Sequence, residues 1–251
     1  MNKHTVYNHL EVFLTIDDLN IAAAKFIVDM ANKAITEKGK FVISFSGGQT
    51  PVKLYSILAK SPFGEQIEWG KTFIFWGDER CVPLEDERNN AHQAKIKLLD
   101  KVNIPGSNIH PIQVNLTPPE AANKYEKEIK DFFGDEPLQF DLVLLGLGEN
   151  GHTASLFPQA KILHEQAEGV REVYVEEEKM SRITMTAPLI NQAHHILFLV
   201  AGKNKAEILE TVMWAPYQPE KYPAQLIKPV HGDLRWFADN AAAVPLLLKS
   251  L

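Results

Sequence analysis

The stretch LVLLGLGENGHTASLFP, Leu142–Pro158, decides how this sequence is read. It opens on Leu142–Leu145, an apolar run with no polar face. A strand of that kind belongs inside a parallel sheet covered by helices on both sides. The run breaks into Gly146-Leu147-Gly148-Glu149-Asn150-Gly151, a literal G-x-G-x-x-G, and His152 follows at once. Two readings compete. In one, the glycines cradle the pyrophosphate of a dinucleotide at a helix N-terminus. In the other, they shape a loop that presents His152. A dinucleotide loop must feed a full helix, yet Pro158 lies seven residues after Gly151 and confines any helix there to two turns. About 140 residues precede the loop, so it does not begin a mononucleotide-binding half. Glu172 and Glu176 could imitate a ribose-binding acid, so the dinucleotide reading is weakened but not removed.

Outward from this stretch, apolar strands alternate with amphipathic helices. The pattern predicts strands in EVFLTI (Glu11–Ile16), KFVISFS (Lys40–Ser46), KTFIFWG (Lys71–Gly77), FDLVLLG (Phe140–Gly146), REVYVE (Arg171–Glu176), RITMT (Arg182–Thr186) and HILFLVAG (His195–Gly202). Helices are expected from Asp17-Asp18 to Gly39 and in Thr50–Lys60, Asn90–Asp100, Pro118–Phe133 and Lys205–Trp214. Ala215–Pro229 is proline-rich and reads as a loop with a short helix. The alternation predicts an α/β fold: Rossmann-like, doubly wound, a mainly parallel sheet with helices on both faces, in one domain over 1–251.

In such sheets ligands bind beyond the carboxyl ends of the strands. Four strand ends carry chemistry. Ser46-Gly47-Gly48-Gln49-Thr50-Pro51 places glycines and hydroxyls at a helix start, which is an anion site or a plain tight turn. It lacks the lysine of a nucleotide P-loop. Asp78-Glu79-Arg80 ends an apolar strand; the bland reading is a solvated loop with a local ion pair. The functional reading offers Arg80 to an anionic oxygen and Asp78 to a proton or hydroxyl. His152 is the third; most lone histidines are surface or capping residues, but this one stands in a glycine loop at the ligand edge, where imidazole suits a general base. The fourth is Lys203-Asn204-Lys205, whose cations oppose the dipole of the helix they start unless an anion joins them.

The bulk numbers limit the rest. The 251 residues are 45% hydrophobic and 23% charged, with net charge −6 and no long basic run, which argues against a nucleic-acid partner. One cysteine, Cys81, forbids an intrachain disulfide and suits a reducing compartment. The N-terminal MNKHTVYNHLEVFL lacks the apolar core and cleavage site of a signal peptide, and no apolar run reaches membrane-spanning length. The expected address is cytoplasmic, without a membrane partner. His194 and His195 are adjacent and no metal-binding spacing accompanies them, so no metal or organic cofactor is expected.

SGGQTP, WGDERCVP, GLGENGHTASLFP and VAGKNKA, in this order over Ser46–Ala206, resemble the 6-phosphogluconolactonase family, which shares its fold with the glucosamine-6-phosphate deaminases. GHTASLFP is the most specific of them. The resemblance implies that no dinucleotide binds and that the substrate is a phosphorylated sugar δ-lactone of the pentose phosphate pathway. It implies His152 as the base that activates water, Arg80 at the carbonyl oxygen or the phosphate, and Asp78 at sugar hydroxyls. It implies Ser46, Gly47, Gly48, Thr50, Gly151 and Lys205 as substrate contacts. The family has Asp where this chain has Asn150, which can accept the imidazole N–H but cannot stabilise imidazolium by charge. Asn89 and Asn90 stand where the family shows a Ser-Asn pair. Two other readings remain: a deaminase or isomerase of amino-sugar phosphates with Asp78 as base, and a non-catalytic sugar-phosphate sensor, which would need a DNA-binding module for which the α/β pattern leaves no room.

Overall fold

The computed structural model describes residues 10–248. Its strands are β1 (Leu10–Phe13), β2 (Phe41–Phe45), β3 (Thr72–Trp76), β4 (Asp78–Arg80), β5 (Leu142–Gly146), β6 (Val170–Val175), β7 (Met180–Met185), β8 (His195–Val200) and β9 (Asp233–Asp239). The helices are α1 (Ile16–Lys38), α2 (Gln49–Leu58), α3 (Asn90–Lys97), α4 (Pro118–Phe133), α5 (Ala187–Ile190), α6 (Ala206–Trp214) and α7 (Asn240–Leu248). Six strands form one sheet in the order β1-β9-β8-β5-β2-β3, and every neighbouring pair is parallel.

Helices cover both faces, as the alternation predicts. Phe45 and Trp76 share a face through the Phe45↔Trp76 register, and Tyr55 of α2 stacks on Phe45 at 4.6 Å. Phe26 of α1 meets Phe237 of β9. On the opposite face Phe75 packs against Phe132 of α4 at 5.1 Å. β2, β5 and β8 are buried along almost their whole length, which accounts for their largely apolar composition. Each fully buried Leu, Ile or Val there contributes about 1.5–3 kcal/mol.

Three departures from the sequence pattern have local causes. The first strand stops at Phe13 and α1 starts at Ile16, because Thr15 closes a capping box: its hydroxyl accepts from Asp18 N at 3.1 Å, and Asp18 returns to the Thr15 amide. Asp17 and Asp18 therefore lie inside the first turn. The segments read as strands around Val173 and Ile183 form a second, antiparallel sheet, β4-β7-β6, in which β7 pairs with both β4 and β6. β4 itself is Asp-Glu-Arg, a composition that signals a loop and becomes a strand only by pairing with β7. β9 and α7 also escaped the pattern, one flanked by aspartates, the other carrying Pro245.

β3 is an edge strand of the six-stranded sheet, and its outer side is covered instead of left open. The His110 amide donates to the Ile74 carbonyl at 2.9 Å. The Tyr125 hydroxyl, on α4, accepts from Trp76 N at 2.7 Å and donates to the Trp76 carbonyl at 3.1 Å. Tyr125→Phe strands both backbone groups in a buried site and should destabilise the fold by about 1–3 kcal/mol. Urea titration checks this; a midpoint indistinguishable from the parent protein would show that the hydroxyl does not hold the edge.

Candidate active site

The sheet changes direction between β2 and β5. The chain runs from β2 to β3 towards one edge, and from β5 through β8 to β9 towards the other. The carboxyl ends of β2 and β5 therefore flank a crevice, the place where parallel sheets bind ligands. The crevice is a cleft of about 680 Å³, and it brings together Ser46, Gly47, Gly48, Thr50, Asp78, Arg80, Asn150, His152 and Lys205. Gly151 is not among its lining residues. Its amide donates to the Gly148 carbonyl at 3.0 Å and its own carbonyl accepts from Ala224, so it builds the loop from behind.

After β2 the chain is pinned by a second buried tyrosine. The Tyr55 hydroxyl accepts from Ser46 N at 3.1 Å and donates to the Ser46 carbonyl at 2.7 Å. A Cβ on Gly47 would stand 2.0 Å from Asn90 Oδ1, so only glycine lets the loop lie against that amide. α1 and α4 begin with capping boxes, and α3 and α5 with side-chain caps. α2 and α6 begin without a side-chain cap. These two start at Gly48 and Lys205, on the cleft wall. The first-turn amides of α2 and the positive end of its dipole are thus directed to a ligand.

After β5 the G-x-G-x-x-G opens no helix. Bends, a bridge between Thr153 and Leu156, and turns follow it. The second glycine explains the motif: a Cβ on Gly148 would lie 2.1 Å from the imidazole of His152. The loop folds back so closely that the Gly148 amide donates to the His152 carbonyl at 2.8 Å. His152 Nδ1 donates to Asn150 Oδ1 at 2.6 Å, which leaves Nε2 with the lone pair. The ring stacks on Phe157 at 4.3 Å. Burial, then the charge of Arg182, lowers its pKa from 6.5 to about 4; Lys205 adds to this, and Asp78 and Glu178 oppose it. The imidazole is neutral at neutral pH, the form that accepts a proton.

Asp78 and Glu79 are buried, not solvated. Glu79 accepts backbone N–H bonds from Arg80, Asn90 and Ala91, closing the start of α3. Asp78 Oδ2 accepts from Ser155 Oγ at 2.7 Å, and Asn90 Nδ2 donates to the Asp78 carbonyl at 2.9 Å. Ser155 reaches Asp78 because Ala154 takes the left-handed conformation, φ 47°, at a cost of about 1–2 kcal/mol.

Sequence reasoning passed over Arg182. It begins the apolar run of β7, is 5% exposed, and lies 3.6 Å from Asp78 Oδ2. It also pairs with Glu178 and sits over the Phe157 ring at 5.2 Å. Its only signal was a lone charge in a buried strand. The Nε–H groups of Arg80 and Arg182 are both buried and make no hydrogen bond among the described residues. Both arginine side chains line the cleft, where a guanidinium makes charge-assisted hydrogen bonds to an anionic oxygen. Lys205 faces the cleft with Glu149 at 3.9 Å, and burial lowers its pKa. Among the described residues no three His, Cys, Asp or Glu side chains group as a metal would require, and no helix is long and apolar enough to cross a membrane.

Known proteins resemble this chain in sequence and in fold. A protein of Synechocystis sp. named 6-phosphogluconolactonase is 42% identical over 215 residues, 84% of this chain and 86% of the relative. A 6-phosphogluconolactonase of Nostoc sp. is 38% identical over 227 residues, 88% of this chain and 90% of its own. The solved 6-phosphogluconolactonase of Trypanosoma cruzi superposes with a TM-score of 0.87 at 27% identity, covering 98% of this chain and 99% of that one. The family model described as glucosamine-6-phosphate isomerases/6-phosphogluconolactonase matches residues 15–236. That span runs from the cap of α1 into β9 and takes in every strand end of the cleft, so the chain belongs to the glucosamine-6-phosphate isomerase/6-phosphogluconolactonase family.

Proposed function

We propose that the protein hydrolyses 6-phospho-D-glucono-1,5-lactone to 6-phosphogluconate in the oxidative pentose phosphate pathway, with His152 as general base. The observation that carries this is the neutral imidazole held by Asn150 in a cleft walled by Arg80, Arg182 and Lys205. The relatives named 6-phosphogluconolactonase support the substrate. Water attacks C1 of the lactone and gives its proton to His152 Nε2. The tetrahedral intermediate collapses with cleavage of the C1–ring oxygen bond, and the proton returns to that oxygen. Arg80 and Arg182 stand where negative charge develops on the carbonyl oxygen, the position where fixed donors contribute most. The phosphate is held by the Gly47-Gly48 backbone, Thr50, the N-terminus of α2 and Lys205.

Asp78 is assigned to positioning. One oxygen is taken by Ser155 and the carboxylate faces Arg182, so it is poorly placed to act as a free base. That disfavours the deaminase reading, which needs Asp78 to move protons. Asn150 fixes the tautomer of His152, and Ser46 contributes backbone held by Tyr55.

The deciding experiment is lactone hydrolysis on freshly generated 6-phosphogluconolactone, with spontaneous hydrolysis subtracted and ammonia release from glucosamine 6-phosphate run alongside. Ammonia release without lactonase activity would overturn the proposal. His152→Ala should lower kcat by about 10²–10⁴-fold with little change in KM. Because only the neutral ring accepts a proton, kcat/KM should rise with pH through about 4 and be level across neutrality. A rise centred near 6.5 would mean that the ring is far more solvated than its stacking on Phe157 implies. Asn150→Asp places a carboxylate beside Nδ1, favours imidazolium and should move that rise to higher pH.

Lys205 makes a separate prediction. Lys205→Ala should raise KM for the phosphorylated lactone strongly and leave the poor turnover of unphosphorylated gluconolactone unchanged. Equal loss on both substrates would place Lys205 at the reacting centre instead of at the phosphate.

A further inference from the structure

Glu178 has no part in the mechanism above, yet it stands beside the reacting centre. It lies in the turn between β6 and β7, on the cleft wall, with its side chain 40% exposed. Its carboxylate takes the Nη2 group of Arg182, both oxygens facing that nitrogen. Arg182 and then Arg80 and His152 hold its pKa below the ordinary value, so it is ionised at neutral pH and feels all three groups. Arg182 stands over the ring on which His152 stacks. The atom attacked by water activated at His152 must therefore lie within the field of Glu178.

Hydrolysis changes the charge at that atom. In the lactone C1 is a neutral carbonyl carbon. In the product it is the carbon of a carboxylate, and the phosphate end is unchanged. We propose that Glu178 makes the site discriminate between the two, occupying the arginine wall as an internal counter-anion that a neutral lactone tolerates and a product carboxylate must displace. This inference rests on the lactonase reading above. It gives Glu178 the role of a specificity-determining residue whose effect is felt in product release.

The test is equilibrium binding by calorimetry, which does not depend on turnover. Two probes differ only at C1: 6-phosphogluconate, with a carboxylate, and glucitol 6-phosphate, with a neutral hydroxymethyl group. Glu178→Gln and Glu178→Ala should each tighten 6-phosphogluconate by about 3- to 10-fold, the scale of one partly screened ion pair. Glucitol 6-phosphate should change by less than about 2-fold, because no charge is added at C1. Glu177→Gln removes the same charge from the cleft wall without touching Arg182 and should affect neither probe to that extent. His152 is faced by Arg182, Asp78, Lys205 and Glu178, so loss of Glu178 should also move the acid limb of kcat/KM to lower pH. Equal tightening of both probes, or no tightening of 6-phosphogluconate, overturns the inference. Weaker binding of both would assign Glu178 to holding Arg182 in place and overturn it as well. Failure of either phosphorylated probe to bind the unaltered protein would instead refute the lactonase reading.

Discussion

All six strands of the main sheet run the same way, and this one constraint places the chemistry. Every carboxyl end emerges on one edge of the sheet, and α1, α2, α6 and α7, which follow β1, β2, β8 and β9, start there with their positive dipole ends. The reversal of strand order between β2 and β5 then parts two of those ends and opens a cleft between them. The cleft is assembled from several separate segments. Gly47, Arg80, His152, Arg182 and Lys205 meet only because the sheet delivers them to one place. The two buried tyrosines serve this arrangement. Each caps the exposed backbone where a strand ends, Tyr125 at β3 and Tyr55 at β2, so the loops leave the sheet from fixed points.

Much of this could be read from residues. Unbroken apolar runs such as Leu142–Leu145 report burial on both faces, and their alternation with amphipathic stretches such as Pro118–Phe133 reports the crossover helices. The strand-end rule then picked out Gly47, Arg80, His152 and Lys205 before any coordinates. What could not be read depends on tertiary pairing. β4 is three charged residues whose strand conformation is supplied by β7. Arg182 enters the cleft from that same small sheet, whose strands the pattern predicts without showing which sheet they join. Residue pattern carries the period of a strand, not the identity of its partner, so it was silent on where β7 would point its charge.

The glycine motif shows how one pattern serves two different geometries. In a dinucleotide loop the second glycine clears space for a ligand's phosphates. Here Gly148 clears space for the side chain of His152, four residues later in the same loop. Both uses need an absent Cβ at a close approach, so composition cannot separate them. Pro158 can, because the ligand version requires a helix and the chain offers turns.

The electrostatics of the cleft set two requirements against each other. A substrate carrying a phosphate needs cations, and the cleft supplies Arg80, Arg182 and Lys205 in a chain of net charge −6. A general base must accept a proton readily, and burial together with Arg182 and Lys205 depresses His152 to about 4. Asp78 and Glu178 relieve part of that depression. Asn150 orients the ring but adds no charge to stabilise the imidazolium. In the complex proposed above, the substrate's phosphate beside Lys205 would supply the missing part of the balance: its negative charge would oppose that cation and make His152 a stronger base than in the open cleft. On the proposed reading the substrate's own handle would thus help prepare the base that activates the attacking water, with Asp78 and Glu178 sustaining part of its basicity in the open cleft.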